Sequence, residues 1–347
     1  MMLDMEDCDE DASISMTWSI DPSGTMRHKQ TGIKISEESG IAIGGHEYLL
    51  KPSDIEMAES GVLGSGACGV VMRGTIKKSG QQVAIKTVKV DEKGKREQLL
   101  NEIQALVSVE GCQNLVQWYA GFVNKKTNCV HVVLEFMDRG SLADLKKRVV
   151  QCGSVVPPPQ LAEISRQIIT GLDHLHDRHL LHRDIKPENI LHNNLGEVKL
   201  TDFGIAKDLD TTLAVAGTFV GTVTYMSPER ALGEDYSLAS DIWSVGMVLY
   251  ELASGVYPFK DFTTFPALFE NLIDKPEPRL EVAYPNHFPP ELCEFVARCL
   301  TRDLKYRPEA KRLLQEKFVV PGASACSPCS QAELVAFFQQ VDASCGR

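Results

Sequence analysis

The stretch His182-Arg183-Asp184-Ile185-Lys186-Pro187-Glu188-Asn189, followed by Asp202-Phe203-Gly204 and then Ser227-Pro228-Glu229, decides how this chain reads. In one compact run it offers a carboxylate that can take a proton, a nearby lysine, an amide oxygen, and a second carboxylate ahead of a Phe-Gly pair. A base, a cation and hard oxygen donors are what phosphoryl transfer asks of a protein, because that reaction needs positioning and charge neutralisation more than covalent chemistry. One such tripeptide would be weak. The ordered set leaves chance a poor explanation.

Upstream, Gly64-Ser65-Gly66-Ala67-Cys68-Gly69 followed by Val71 is suited to a strand-turn-strand over an anion, since residues without Cβ let backbone amides approach its oxygens. Alone the motif reads equally well as an ordinary hairpin. Val83-Ala84-Ile85-Lys86 is a strand ending in a lysine, and a lysine there is placed to hold phosphate oxygens.

The chain has 347 residues and a formal charge of −11, from 36 basic and 47 acidic side chains. That length exceeds what one hydrophobic core usually serves and points to two domains or lobes. No domain-wide basic excess is present to release counterions from a nucleic-acid backbone, so nucleic acid is not an expected partner. Ten cysteines are scattered rather than framed. With no signal peptide at the start they read as reduced thiols of a cytoplasmic protein, the nucleus also being open to it. Cys326-Ser327-Pro328-Cys329 has metal or redox spacing, but no second pair or His cluster completes a tetrahedral site. No apolar run approaches the ~20 residues of a membrane span, and Met2 stands where a myristoylated chain has Gly. A soluble protein without a membrane partner is expected.

Residues 1–46 open on an acidic run from Asp4 to Asp11 and continue with Pro22, several Gly and few large apolars, which reads as a flexible arm. Strands are expected over Gly61 to Gly74 and Gln81 to Val90, joined by Lys77-Lys78-Ser79-Gly80. A helix from Arg96 to Val109 and a buried strand from Val130 to Phe136 follow. From Ser141 helical periodicity dominates, with Val149 to Pro159 marked as a loop by Gly153 and its prolines. Helices are expected at Leu161 to Arg178, Ser237 to Ser254, Phe265 to Ile273, Pro290 to Leu300 and Ala310 to Lys317. Ser330 and Glu333 then form a capping-box pattern before Leu334, Phe337, Phe338 and Val341, an apolar stripe that either covers a groove of the core or docks a partner. The division is residues 1–46, the arm; 54–138, a small β-rich lobe; 139–318, a larger mainly helical lobe; and 319–347, a C-terminal extension with a short amphipathic helix.

In this order the motifs resemble those of eukaryotic protein kinases, over nearly all of Asp54 to Lys317. The resemblance implies an α+β, two-lobed fold that uses ATP and Mg²⁺. It makes Asp184 the group that accepts or orients the proton of a substrate hydroxyl, Lys186 a neutraliser of the γ-phosphate, and Asn189 and Asp202 the oxygen donors to the metal. Leu63, Gly64, Ser65, Gly66, Gly69 and Val71 would cover the nucleotide. Ala84 and Leu191 would flank adenine, Leu134 would guard the back of its pocket, and Glu135, Phe136 and Met137 would offer backbone hydrogen bonds. Lys86 would hold phosphates and itself be held by a helix carboxylate. Glu102 is preferred to Glu97 for that carboxylate, because Glu102, Ile103 and Leu106 follow the family's Glu-φ-x-x-Leu pattern. Arg183 is then either a partner for a phosphorylated activation segment or a plain structural ion pair. Asp241, and Glu229 with Arg307, resemble the buried struts of kinase lobes.

Thr218-Phe219-Val220-Gly221-Thr222, Tyr225-Met226-Ser227-Pro228-Glu229-Arg230, and Tyr236-Ser237 ahead of Ser240-Asp241-Ile242-Trp243-Ser244 are similar to mitogen-activated protein (MAP) kinase kinases. That resemblance implies transfer of phosphate to Thr and Tyr of a MAP kinase, and activation by an upstream MAP kinase kinase kinase. The family's switch is two Ser/Thr, commonly with three residues between them. Counting back from Thr218, that spacing reaches Ala214, whereas the five-residue spacing of part of the family reaches Thr212. Thr212 and Thr218 are therefore the expected phosphosites, with Thr211 behind them. Pro187-Glu188-Asn189 in place of the subfamily's Pro-Ser-Asn, and Ile205-Ala206-Lys207 after Gly204, look more like kinases in general and leave a Ser/Thr kinase of another tier open. A silent pseudokinase scaffold is the remote alternative, since every phosphoryl-transfer residue is present. In the arm, Arg27-His28-Lys29 and Ile33-Lys34-Ile35 fit the basic-then-apolar pattern with which such enzymes dock a MAP kinase. Arg27, Lys29, Ile33 and Ile35 are the expected docking residues, against a disordered linker or an arm packed on the small lobe.

Overall fold

A computed structural model describes residues 18–20, 26–28, 34–36, 40–43, 46–48, 50–66, 69–89, 103, 105, 109, 111–124, 127, 129–203, 224–259 and 265–345. The chain falls into two compact units, Met1–Leu100 with Gln117–Phe136, and Asn101–Val116 with Met137–Arg347. Among the described residues no helix is long and apolar enough to cross a membrane.

The first unit holds two antiparallel sheets. One is a meander of β1 (Trp18–Ile20), β2 (Met26–His28), β3 (Lys34–Ser36), β4 (Gly40–Ile43) and β5 (His46–Tyr48). The other comprises β6 (Ile55–Gly66), β7 (Gly69–Ile76), β8 (Gln82–Lys89), β9 (Trp118–Asn124) and β10 (Cys129–Glu135), in the order β6-β7-β8-β10-β9. β3, β4 and β5 lie against β9. The five short strands of the meander fall within Trp18 to Tyr48, the stretch read from sequence as an arm, flexible or packed on the small lobe. They are three or four residues long, too short to show a repeating apolar alternation, and a strand of that length persists only through its neighbours. In the second sheet Val83 and Ile85 of β8 turn to one face and join Ile55, Ala120, Phe122 and Val133 in a buried cluster. Ala84 and Lys86, at the alternate positions, turn to the other face.

The second unit is mainly helical: α1 (Leu142–Gln151), α2 (Pro158–His176), α3 (Pro228–Ala231), α4 (Leu238–Ser254), α5 (Phe265–Ile273), α6 (Leu280–Ala283), α7 (Pro290–Cys299), α8 (Ala310–Leu313) and α9 (Gln331–Ser344). A small hairpin, β11 (Ile190–His192) with β12 (Val198–Leu200), completes it. Every residue of α4 from Ser240 to Ala253 is buried, as befits a helix that is apolar around most of its circumference. It packs against α2 and α7. Two boundaries differ from the periodicity. α1 runs on to Gln151 because Val149 extends the buried stripe of Leu142 and Leu145. α2 starts at Pro158, since prolines are tolerated in the first helical turn, where amides have no intrahelical partner.

The C-terminal helix α9 opens with the expected box: Glu333 N donates to Ser330 Oγ (3.3 Å) and Ser330 N to Glu333 Oε2 (2.8 Å). Leu334, Phe338 and Val341 are buried, so the stripe covers a groove of the second unit. Asp342 pairs with Arg139 (2.7 Å) and Arg148 (3.4 Å), and the Phe338 ring lies 4.7 Å from that of His192. His192 Nδ1 is 3.1 Å from the Gly140 carbonyl. A carbonyl only accepts, so we assign the ring proton to Nδ1, leaving Nε2 to accept from Arg148 Nη2 at 3.4 Å.

Burial, reinforced by the Arg148 and Arg139 charges, pushes the His192 imidazole down from 6.5 to about 3, against the Gly140 carbonyl and the Asp144 carboxylate. Between those values the unfolded chain binds a proton that the folded chain refuses, so stability rises with pH. The contribution is complete above pH 6.5 and is lost as pH falls toward 3. His192→Gln should therefore remove up to about 1.4 kcal/mol per pH unit from the acid slope of unfolding. Denaturant melts of both proteins at pH 7, 6 and 5 check this, and parallel slopes would contradict the neutral assignment.

Candidate active site

In the first unit the β6–β7 hairpin pairs Gly64 with Val71, Ser65 with Val70 and Gly66 with Gly69. Gly69 has φ +126°, and a Cβ there would come within 1.9 Å of Thr87 O on β8, so only glycine fits. Gly64 is different: nothing lies within 4 Å of where its Cβ would sit. Internal packing does not require a glycine there, and its bare backbone leaves room for a ligand to approach. Leu63 beside it is exposed.

Across the sheet, Lys86 stands opposite Val71 on β7 and Val132 on β10, while Ala84 stands opposite Arg73 and Leu134. Residues directly opposite share a face, as do alternate residues along a strand. Val71, Ala84, Lys86 and Leu134 are thus brought to one face. Lys86 is only 3% exposed, and an ammonium at that depth has to be compensated by polar or anionic neighbours. Glu102 and Glu97 lie outside the described residues, as do Ala67 and Cys68. Glu135 donates its N–H to Gln117 O (2.8 Å), and its carboxylate accepts from Gln117 N (3.2 Å).

In the second unit a single 3₁₀ turn, Pro187–Asn189, folds the chain so that Asp184, Lys186 and Asn189 meet. Lys186 Nζ donates to both carboxylate oxygens of Asp184, at 3.1 and 2.9 Å. Asn189 Nδ2 donates to Asp184 O (2.8 Å) and Oδ2 (2.9 Å). With both amide hydrogens so used, what Asn189 offers further is its Oδ1, a hard oxygen donor. Thr201 N donates to Asn189 O at 3.0 Å, which brings in Asp202, next in the chain and in the left-handed region at φ +59°. Phe203 is buried with its ring edge toward His182, centroids 6.3 Å apart, and so anchors that strained backbone. Leu191 lies on β11 and Met137 is buried. Among the described residues no group of three or more His, Cys, Asp or Glu could hold a metal ion. One carboxylate and one amide oxygen nevertheless suit Mg²⁺, which keeps several waters and takes few protein ligands.

The loop carrying Asp184 hangs from Asp241 of α4. Asp241 Oδ2 accepts from His182 N (2.9 Å) and His176 Nε2 (3.0 Å), and Oδ1 from Arg183 N (2.9 Å) and Tyr236 OH (2.7 Å). Burial opposes its charge, but the His176 and His182 contacts outweigh that and hold the carboxyl below its ordinary 3.8. Glu229 receives a two-pronged bond from Arg307, at 2.8 and 3.1 Å. Sequence reading missed His176 and Tyr236 as members of the Asp241 network. It also missed Glu251, which accepts from Tyr225 OH (2.5 Å) and Lys146 Nζ (2.6 Å). Tyr236-Ser237 stood out only as a family mark, and no local pattern signals these contacts.

Thr211, Thr212, Thr218 and Gly204 lie outside the described residues, as do Lys29 and Ile33. Arg27 and Ile35 fall in β2 and β3, where Arg27 stands opposite Lys34 and Met26 opposite Ile35.

The protein kinase domain family model matches residues 57–319. Mitogen-activated protein kinase kinase 2 of Arabidopsis thaliana is 39% identical over 308 residues, 85% of this chain and 82% of that protein. Mitogen-activated protein kinase kinase SIPKK of Nicotiana tabacum is 35% identical over 309 residues, 85% of this chain and 83% of its own length. Mitogen-activated protein kinase kinase 3 of Arabidopsis thaliana is 39% identical over 265 residues, and this chain spans half of its length. The chain belongs to the protein kinase family and, within it, to the mitogen-activated protein kinase kinases. Its activity is that of an ATP-dependent protein kinase.

Proposed function

We propose that this chain transfers the γ-phosphate of ATP to Thr and Tyr in the activation segment of a MAP kinase, and that an upstream MAP kinase kinase kinase switches it on at Thr212 and Thr218. The observation that most supports this reading is the Asp184 carboxylate, gripped by Lys186 and Asn189, in a chain of MAP kinase kinase lineage.

Asp184 orients the substrate hydroxyl and takes its proton as the new O–P bond forms. Lys186 neutralises charge on the group in transfer. The amides of Gly64 to Gly69, with Ser65, and the ammonium of Lys86 are proposed to hold the phosphates, Glu102 remaining the carboxylate expected for Lys86. Leu63, Val71, Ala84, Leu134 and Leu191 offer apolar surface to adenine, while backbone groups of Glu135 and Met137 read its edge. Asn189 and Asp202 would hold Mg²⁺, which when bound neutralises phosphate charge.

The deciding experiment incubates the activated enzyme with a catalytically dead MAP kinase and maps its Thr-x-Tyr segment. Phosphate on both residues is the expected result, and phosphate on neither would refute the reading. Phosphate on Thr alone would favour a Ser/Thr kinase of another tier, to which Pro187-Glu188-Asn189 points. For the switch, Thr212→Ala with Thr218→Ala should abolish activation by the upstream kinase, and mass spectrometry of activated wild type should find phosphate on both threonines. Phosphate confined to Thr211 would move the assignment.

Arg27 and Lys29, with Ile33 and Ile35, are proposed to dock the MAP kinase. Arg27→Ala with Lys29→Ala should raise the KM for that substrate several-fold, most at low salt, while activity on a generic peptide is retained. An unchanged KM would leave β2 and β3 a structural part of the meander.

A further inference from the structure

Cys152 caps the C-terminal end of α1 and Cys345 that of α9, and their Sγ atoms lie 2.9 Å apart. Cys345 Sγ also reaches the Arg148 carbonyl in the last turn of α1, at 3.5 Å. Both are free thiols, Cys152 exposed and Cys345 partly so. We propose that this pair is a peroxide-responsive modification site, in which oxidation joins Cys152 to Cys345 and clasps the C-terminal helix to α1.

The geometry favours the bond. A disulfide needs its sulfurs at about 2.0 Å, so the two must close by roughly 1 Å. Each cysteine is the last residue tied to its helix, Cys152 N donating to Arg148 O (3.1 Å) and Cys345 N to Val341 O (3.2 Å), so a turn of each side chain and a small shift at these two helix ends supply that movement while the helices before them stay in place. The order of events follows from access. Cys345 holds its proton more tightly than a free thiol because it is hydrogen-bonded to Cys152 and partly desolvated, which leaves the exposed Cys152 to meet the oxidant.

The Cys152 sulfur attacks one oxygen of hydrogen peroxide, the O–O bond breaks, and the departing oxygen leaves as water with the thiol proton. Cys152 is then a sulfenic acid. The Cys345 sulfur attacks it, the S–O bond breaks, and that oxygen leaves as a second water with the Cys345 proton. Two thiols and one peroxide become one disulfide and two waters, the sulfurs giving up two electrons to the peroxide. A small dithiol reductant reverses the change by thiol exchange.

The clasp sits beside a contact that matters to the helix. Asp342, one turn before Cys345, ties α9 to Arg139 and Arg148, so covalent closure at the end of α9 holds that ion pair in place.

The test uses the full chain, wild type, Cys152→Ser and Cys345→Ser, each treated with hydrogen peroxide and mapped without reduction. The expected product is one linked pair of peptides carrying residues 152 and 345. It should be absent from both serine variants and reversed by dithiothreitol. Hydrogen exchange of the α9 amides should slow by at least ~10-fold in oxidised wild type, because the closed loop restricts local opening, and should not change in the peroxide-treated variants. Should a serine variant fail to fold, the wild-type map and its exchange before and after dithiothreitol suffice. Sulfinic acid on an unlinked Cys152, a link from Cys152 to another cysteine, or exchange unchanged by the link would each overturn the proposal.

Discussion

Phosphotransfer by the Asp184→Asn variant is expected to fall by ~10²–10⁴-fold, the range over which a positioned base usually contributes. The substitution preserves shape and one acceptor oxygen but removes the group that can receive a proton. Lys186 and Asn189 hold the carboxylate in one orientation, so no water or neighbour readily takes its place. The loss should appear in kcat and kcat/KM alike, with the KM for ATP little changed, as befits an interaction made chiefly in the transition state. The fold should survive. One amide hydrogen now faces the donors of Lys186 or Asn189, at a cost of about 0.5–1.5 kcal/mol, so melting should drop by no more than a few degrees. Turnover near that of wild type would sink the assigned mechanism.

How much of this molecule could be read in advance depended on distance along the chain. Asp184, Lys186 and Asn189 fall within six residues, so their side-chain types and spacing announce a cluster, and they do meet in hydrogen-bonding contact. Ala84 and Lys86 alternate along one strand, which places them on one face whatever the register. The register that adds Val71 and Leu134 to that face is a property of the pairing. The meander of β1 to β5 escaped because strands of three or four residues carry too little alternation to set against a composition rich in glycine and polar residues. The struts were legible in part: Glu229 with Arg307 was expected as a pair and is one, but of the Asp241 network only the carboxylate itself stood out. Asp241 was recognised, but His176 on α2 and the backbone amides of the loop are remote from it in sequence, and only the packing of α2 on α4 brings them together. The same holds for α9. Its apolar stripe and cap were plain, whereas the pairing of Asp342 with Arg139 and Arg148 and the meeting of Cys345 with Cys152 depend on where the groove lies.

Asp241→Ala should destabilise the protein by about 3–5 kcal/mol, the usual consequence of removing one partner from a buried charged network, and should lower the melting temperature of a domain this size by roughly 6–20 °C. The carboxylate is fully buried and accepts from four donors: the amides of His182 and Arg183, the His176 ring and the Tyr236 hydroxyl. Alanine leaves all four without their acceptor, and buried donors that lose a partner cost more than the bond itself contributed. Strain adds to the effect, because Arg183 sits at φ +69°, a conformation an arginine holds only when its surroundings impose it. The pH dependence distinguishes this account from a simple packing defect. Because the folded carboxyl lies below its ordinary 3.8, its contribution is present above that value and is lost as pH falls through the folded one. The gap in melting temperature between wild type and variant should therefore stay constant from pH 7 to pH 5 and close only below about pH 4. Melting within two or three degrees of wild type at neutral pH, or a gap that narrows already between pH 7 and 5, would show that the loop carrying Asp184 is held by something other than this carboxylate.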